Sequence, residues 1–300
     1  HGYVPESPLI DSRETITVKK ARHFRTVVDS VKTSGLRQTG RRGVMWFGQR
    51  VLGVRPDITQ HRYVLSERIC QEFDFTVGYG PFAGLRLNPE SWWSAADRGA
   101  MILGLYEMQV LQELAEFCDG TRPLVDVGAA DGYYAIGAVR AGLAPRALCF
   151  EATSEGQDVI RANAAENDVA DRIEILGTAD KGFLNQIPDD YWNESQASVF
   201  LFDIEGGEFD LLTDEVLFQL RNSFVIVELH EPIGDRDSKA AALIERANRR
   251  FRTRLVGTGP RDPSSIPVLE SWSDDDRWLL MSESRAFDMR WLFMEPRQGD

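Results

Sequence analysis

The chain has 300 residues, 43% hydrophobic and 27% charged, with a formal net charge of −13 at pH 7. Those proportions fit one large soluble domain with additions and exclude a disordered polymer. There is no apolar run of the roughly 18 residues that a membrane-spanning helix needs, and the amino terminus lacks the basic-then-apolar order of a signal peptide.

Residues 1–62 carry 12 Lys and Arg against 5 Asp and Glu, a charge of +7; the other 238 residues carry 22 against 42, a charge of −20. A body that acidic repels a phosphate backbone, so nucleic acid is not an expected partner. The basic extension reads as irregular and partly helical. It can hold an anionic partner or fold back onto the acidic body. The three cysteines, Cys70, Cys118 and Cys149, form no C-x-x-C pair. Neither a disulfide framework nor a structural zinc site is expected, and a reducing cytoplasm is the expected compartment.

Residues 63–118 form a second stretch, a hairpin and helix cap. Phe73, Phe75 and Val77 alternate with polar residues and Leu85 and Leu87 flank Arg86, which predicts two short strands joined through residues 78–84. Ile102, Tyr106, Val110, Leu114 and Phe117 then recur at helical spacing and predict one helix. Trp92, Trp93 and Trp272 can roof a ring-sized pocket or simply pack.

From residue 119 to 300 the pattern changes. Apolar runs at 124–127, 147–150, 173–176, 199–202 and 224–229 alternate with helical patterns at 133–140, 155–166, 209–220 and 238–251. Continuous apolar strands separated by helices predict a parallel sheet covered on both faces. The expected fold is a doubly wound, mostly parallel seven-stranded α/β sheet, Rossmann-like, closed by strands at 277–281 and 289–294. The loop 257–267, rich in Gly, Pro and Ser, is a lid or a connector. Ligands of such sheets sit at the carboxyl ends of the strands, so functional residues are sought there.

The first strand exits through Asp126, Val127, Gly128, Ala129, Ala130, Asp131, Gly132, Tyr133 and Tyr134. Two glycines four residues apart let the backbone approach a ligand, but the spacing is not the G-x-G-x-x-G of a dinucleotide site. The second strand ends at Glu151, an acid placed to accept ribose hydroxyls. The third leads into Gly177, Thr178, Ala179 and Asp180, a loop that would border an adenine. The fourth exits through Asp203, Ile204, Glu205, Gly206, Gly207 and Glu208, and the fifth through Glu228, Leu229 and His230. Strand alternation puts Glu228 and His230 on one face.

Two of these segments carry a resemblance. The first-strand motif, through Asp126, Gly128, Ala129, Gly132 and Tyr134, is similar to motif I of class I S-adenosylmethionine-dependent methyltransferases. Together with Asp203, Glu205, Gly206 and Glu208, it resembles the FkbM-type family over roughly residues 120–235. The resemblance implies methyl transfer from S-adenosylmethionine, usually to a hydroxyl of a sugar, a glycan or another small molecule. It does not reach residues 1–62. It places the cofactor against Asp126, Gly128, Ala129, Gly132, Tyr134, Glu151, Ala179, Asp180 and Asp203. His230 is the expected base, because an imidazole of near-neutral pKa suits proton abstraction, aided by Asp203 or Glu228. The same three residues are the candidates for magnesium or manganese, should a metal be used. The rival readings are an NAD-type oxidoreductase or nucleotide-sugar enzyme and a non-catalytic binding module.

Overall fold

The computed structural model describes residues 57–89, 95–192, 197–230, 236–285 and 289–297, and all but the first two fall in one compact unit, residues 59–300. Residues 1–56 of the basic extension, and Trp92 and Trp93, lie outside the described residues.

The chain runs α1 (Ile58–Glu72), α2 (Arg98–Ile102), α3 (Met108–Cys118), β1 (Leu124–Val127), α4 (Tyr133–Arg140), β2 (Ala147–Phe150), α5 (Ser154–Glu166) and β3 (Ile173–Leu176). It continues β4 (Val199–Phe202), α6 (Glu208–Leu211), α7 (Asp214–Gln219), β5 (Phe224–Leu229), α8 (Arg236–Asn248), β6 (Phe251–Gly257), α9 (Asp274–Met281) and β7 (Arg290–Pro296). The expected sheet is present, with seven strands in the order β3-β2-β1-β4-β5-β7-β6. β1 to β5 pair in parallel, and β7 runs antiparallel to both β5 and β6.

Each four-residue run of β1, β2 and β4 is buried along its whole length. That burial on both faces is why these strands read as continuous apolar runs. Leu124, Cys149, Leu201 and Ile226 belong to the core on one face of the sheet, and Val125, Leu148, Phe200 and Val225 to the core on the other. β1 and β4 are register-matched from Leu124↔Val199 to Val127↔Phe202, and β4 with β5 from Val199↔Phe224 to Phe202↔Val227. The residues leaving β1, β4 and β5 therefore emerge side by side.

Several expectations are corrected. The hairpin shrinks to one antiparallel bridge, Thr76↔Arg86. Asp74 and Phe75 have φ of 48° and 53°, a left-handed backbone that an extended strand cannot contain. The single helix over 102–117 is two, α2 and α3, although all five stripe residues stay buried. Gly104 interrupts it at φ +66°, where a Cβ would stand 2.2 Å from the Tyr79 carbonyl oxygen.

Residues 277–281 close no sheet edge but lie in α9, whose start is set by Ser273 accepting from the Asp276 amide at 3.1 Å. Three aspartates in its first turn complement the helix dipole. The helical pattern over 209–220 breaks into α6 and α7, with Thr213 capping α7 by accepting from the Val216 amide at 3.3 Å. β6 went unread because it lies at the sheet edge, pairs only with β7, and interleaves Arg252 and Arg254 among its apolar residues.

Candidate active site

Gly128, at φ +95°, makes the first turn after β1 possible. A Cβ there would sit 1.8 Å from the carbonyl oxygen of Asp203, so the exits of β1 and β4 touch backbone to backbone. The Gly128 and Ala129 amides both donate to the Phe150 carbonyl at 3.0 Å, which ties this turn to the end of β2 as well. Gly132, at φ +78°, precedes α4.

The turn opens into a cavity of about 380 Å³ lined by Gly128, Ala130, Glu151, Ala179, Asp203 and Glu205, among others. Four strand ends thus contribute to one site, as expected of this sheet. Glu151 is buried and held in one orientation. Its Oε2 accepts from the Ala130 amide at 3.0 Å, and its Oε1 from the Thr153 amide at 2.8 Å and the Thr153 hydroxyl at 2.7 Å. A carboxylate offers about four lone-pair sites, so the group retains capacity for a ligand hydroxyl.

Four of the predicted cofactor residues, Gly128, Glu151, Ala179 and Asp203, meet in this cavity. The others do not line it. Asp126 is 1% exposed on β1 and its pKa is pushed up to about 7. Burial dominates that rise, with the Ala135 amide opposing it and the Glu151 charge adding to it. Ala129 is buried in the core. Asp180 is exposed and its Oδ1 accepts from the Gly182 amide at 2.8 Å, so it closes its own turn. Tyr134 is buried, its hydroxyl donates to Glu107, and it does not line the cavity.

Beside the cavity stands His230. Its Nε2 lies 3.6 Å from Asp203 Oδ1, 3.6 Å from Glu205 Oε2 and 3.3 Å from Glu228 Oε2, and its Nδ1 is 3.5 Å from Glu208 Oε1. Glu208 is fully buried and fixes the turn from both sides, accepting from the His230 amide at 2.8 Å and the Gly206 amide at 2.9 Å. Burial pulls the imidazole pKa down, but the surrounding carboxylates outweigh it and the net shift is upward. Burial and the neighbouring Glu228 hold the Asp203 carboxyl well above its usual range. One ligand atom each from Asp203, Glu228 and His230 lies within 4.8 Å of the others, so these three could hold a divalent cation.

Sequence reasoning missed what stands behind them. Arg285 donates to Glu228, to Glu107 Oε1 at 2.5 Å, and pairs through Nε with Glu283 Oε2 at 2.6 Å. Glu107 is buried, and desolvation with the Glu228 charge raises its pKa against the pull of Arg285. Glu107 and Arg285 lie 178 positions apart. Neither sits in a motif, so no local signal marks them. Of the expected pocket roof, Trp272 is buried with the Arg68 guanidinium 4.2 Å above its ring, a packed position.

No family model matches the chain, and no curated protein matches it. Among solved structures it is similar to cofactor-bound Rv0187 from MTB, at 12% identity over 83% of this chain and 94% of that one, with a TM-score of 0.42. It is similar to the O-methyltransferase from Bacillus cereus in complex with SAH at 15% identity, over 84% and 97% of the two chains, with a TM-score of 0.42. For precorrin-6y C5,15-methyltransferase from Geobacter metallireducens GS-15 the values are 13%, 62% and 88%, with a TM-score of 0.39.

Proposed function

We propose that this chain is an S-adenosylmethionine-dependent O-methyltransferase of the FkbM type, acting in the cytoplasm on a hydroxyl of a sugar, a glycan or another small molecule. The observation that carries the reading is the cavity at the exits of β1, β2, β3 and β4 with an imidazole beside it. A cavity of about 380 Å³ is within the usual range for a small ligand. Its donor set suits this cofactor: a fixed carboxylate at Glu151 for the ribose, and close backbone approach at Gly128. When bound, S-adenosylmethionine supplies an electrophilic methyl whose C–S bond breaks toward sulfur as the acceptor oxygen forms its new O–C bond.

The chain's own residues do the rest. Asp203 and Glu205 face both the cavity and the imidazole, so a hydroxyl held between them and Glu228 lies within reach of Nε2. His230 takes the hydroxyl proton, and the carboxylates around it stabilise the imidazolium that results. Glu208 fixes the backbone of His230 and thereby its approach. Most of the acceleration comes from holding acceptor and methyl in line. Three buried free cysteines suit a reducing compartment, and among the described residues no helix is long and apolar enough to cross a membrane.

A thermal-stability panel tests the reading, because a ligand that binds only the folded state raises the melting temperature. S-adenosylhomocysteine should raise it, and NAD and UDP-sugars should not. A shift with NAD alone would overturn the reading in favour of a dinucleotide enzyme. If EDTA abolishes transfer and magnesium or manganese restores it, Asp203, Glu228 and His230 hold a metal that lowers the acceptor's pKa.

A further inference from the structure

A second cavity, of about 470 Å³, opens on the same edge of the sheet. Its walls come from residues 258–261 after β6, the end of α9, and the segment leading into β7. The register fixes its place. Leu229, the last residue of β5, and Gly257, the last of β6, both pair with Arg290 of β7. The two strand exits therefore flank one residue, about 10 Å apart at the ordinary spacing of neighbouring strands.

A single side chain joins this cavity to the candidate base. Arg285 lines the cavity and donates to Glu228 Oε1, while Glu228 Oε2 stands 3.3 Å from His230 Nε2. Through the same Nε2, His230 is also 3.6 Å from Asp203 and from Glu205, which line the first cavity. One chain of contacts, Arg285 to Glu228 to the imidazole to Asp203 and Glu205, thus links the two cavities. In-line transfer needs the acceptor oxygen beside the cofactor's methyl, so a ring in the second cavity would extend its hydroxyl past the Arg285–Glu228 pair toward the first.

The walls specify the chemistry of the occupant. Both guanidiniums in the lining are already neutralised. Arg261, 6% exposed, pairs with Asp97 at 3.2 Å and Glu283 at 3.1 Å, and Arg285 pairs with Glu107, Glu228 and Glu283. Among the described residues that line the cavity, neither guanidinium is left without a carboxylate partner, which disfavours a phosphate or a carboxylate. Trp278, by contrast, is 45% exposed on α9 and lines the cavity together with the buried Met281 and Met289. An indole face with soft apolar neighbours accepts a ring, and the flanking hydroxyls of Thr258 and Ser282 suit polar substituents.

We infer that this second cavity is the acceptor subsite, and that it takes an uncharged ring bearing at least one hydroxyl, seated on Trp278. The inference rests on the methyltransferase reading for the role of the occupant, but its location and chemistry are testable apart from it.

The experiment is saturation-transfer NMR on the full chain with and without S-adenosylhomocysteine, using methyl β-D-glucopyranoside and catechol as the two ring sources and glucose 6-phosphate as the charged control. At least one uncharged ring should take up saturation, and glucose 6-phosphate should bind at least tenfold more weakly than the glucoside or catechol, whichever binds. Trp278→Ala removes a half-exposed side chain, so the fold should survive, and it should weaken ring binding at least tenfold while S-adenosylhomocysteine affinity, followed by calorimetry, stays within twofold. Equal ring binding by wild type and Trp278→Ala, no binding of either ring, or preference for the phosphate would each overturn the inference. Failure of S-adenosylhomocysteine to bind while the rings still depend on Trp278 would instead overturn the methyltransferase reading and leave the subsite standing.

Discussion

Asp126 offers a test that needs no substrate. Its carboxyl is 1% exposed, and burial raises its pKa from 3.8 to about 7. At about 1.4 kcal/mol per unit, a rise of roughly three units corresponds to about 4 kcal/mol. The sign follows from proton counting: between pH 4 and 7 the folded state keeps a proton that the unfolded state has released, so stability falls as pH rises. Below pH 4 both states are protonated and the contribution is complete; above pH 7 it is gone. Part of it is already lost at pH 5, which leaves roughly 2–3 kcal/mol to disappear between pH 5 and 8. Asp126→Asn has nothing to titrate there. Urea unfolding of both proteins at unit pH steps should show the variant gaining on the wild type by that amount from pH 5 to 8. Parallel stability profiles, within about 0.5 kcal/mol across that range, would show that Asp126 is ionised in the fold and refute the reasoning.

Gly128→Ala combines a left-handed backbone with a Cβ 1.8 Å from the Asp203 carbonyl oxygen, so it should lose roughly 2–5 kcal/mol in urea unfolding. Gly206→Ala, at φ +100° with nothing within 4 Å of its Cβ, should lose only about 1–2 kcal/mol; equal losses would show that the β1–β4 approach is not what requires Gly128. His230→Gln should lower methyl-transfer turnover by about 10²–10⁴-fold with S-adenosylhomocysteine affinity within threefold. Unchanged turnover in a single-turnover assay would make His230 structural.

Much of the fold was legible because it depends on local signals. β1, β2 and β4 are short, wholly buried apolar runs, and the acids that follow them emerge at one edge once the strands are parallel. What misled was backbone detail with no signature in apolar spacing. The left-handed Asp74 and Phe75 close the end of α1, where the Phe75 amide donates to the Cys70 carbonyl at 2.8 Å, and the close approach at Gly104 is set by the backbone of Tyr79. Residues 277–281 show why a short apolar run cannot distinguish strand from helix; in the folded chain the Ser273 cap fixes the start of α9.

The site divides in the same way. Gly128, Glu151, Asp203 and His230 follow strands and could be found by position. Glu107, Glu283, Arg285 and the second cavity are assembled from segments far apart in sequence, and only the folded chain unites them. The structure also changes the meaning of Gly128. It is needed for contact with β4, so a branched residue there would damage the fold before it reported on a ligand.

The central claim is that the cavity at the exits of β1 to β4 binds S-adenosylmethionine through Glu151. Calorimetric titration of S-adenosylhomocysteine into the wild type and into Glu151→Gln tests it most directly. The account predicts saturable one-to-one binding to the wild type, weakened at least tenfold in a Glu151→Gln protein that melts as cooperatively as its parent. Binding of equal strength in both proteins, or no binding to the wild type, would contradict it.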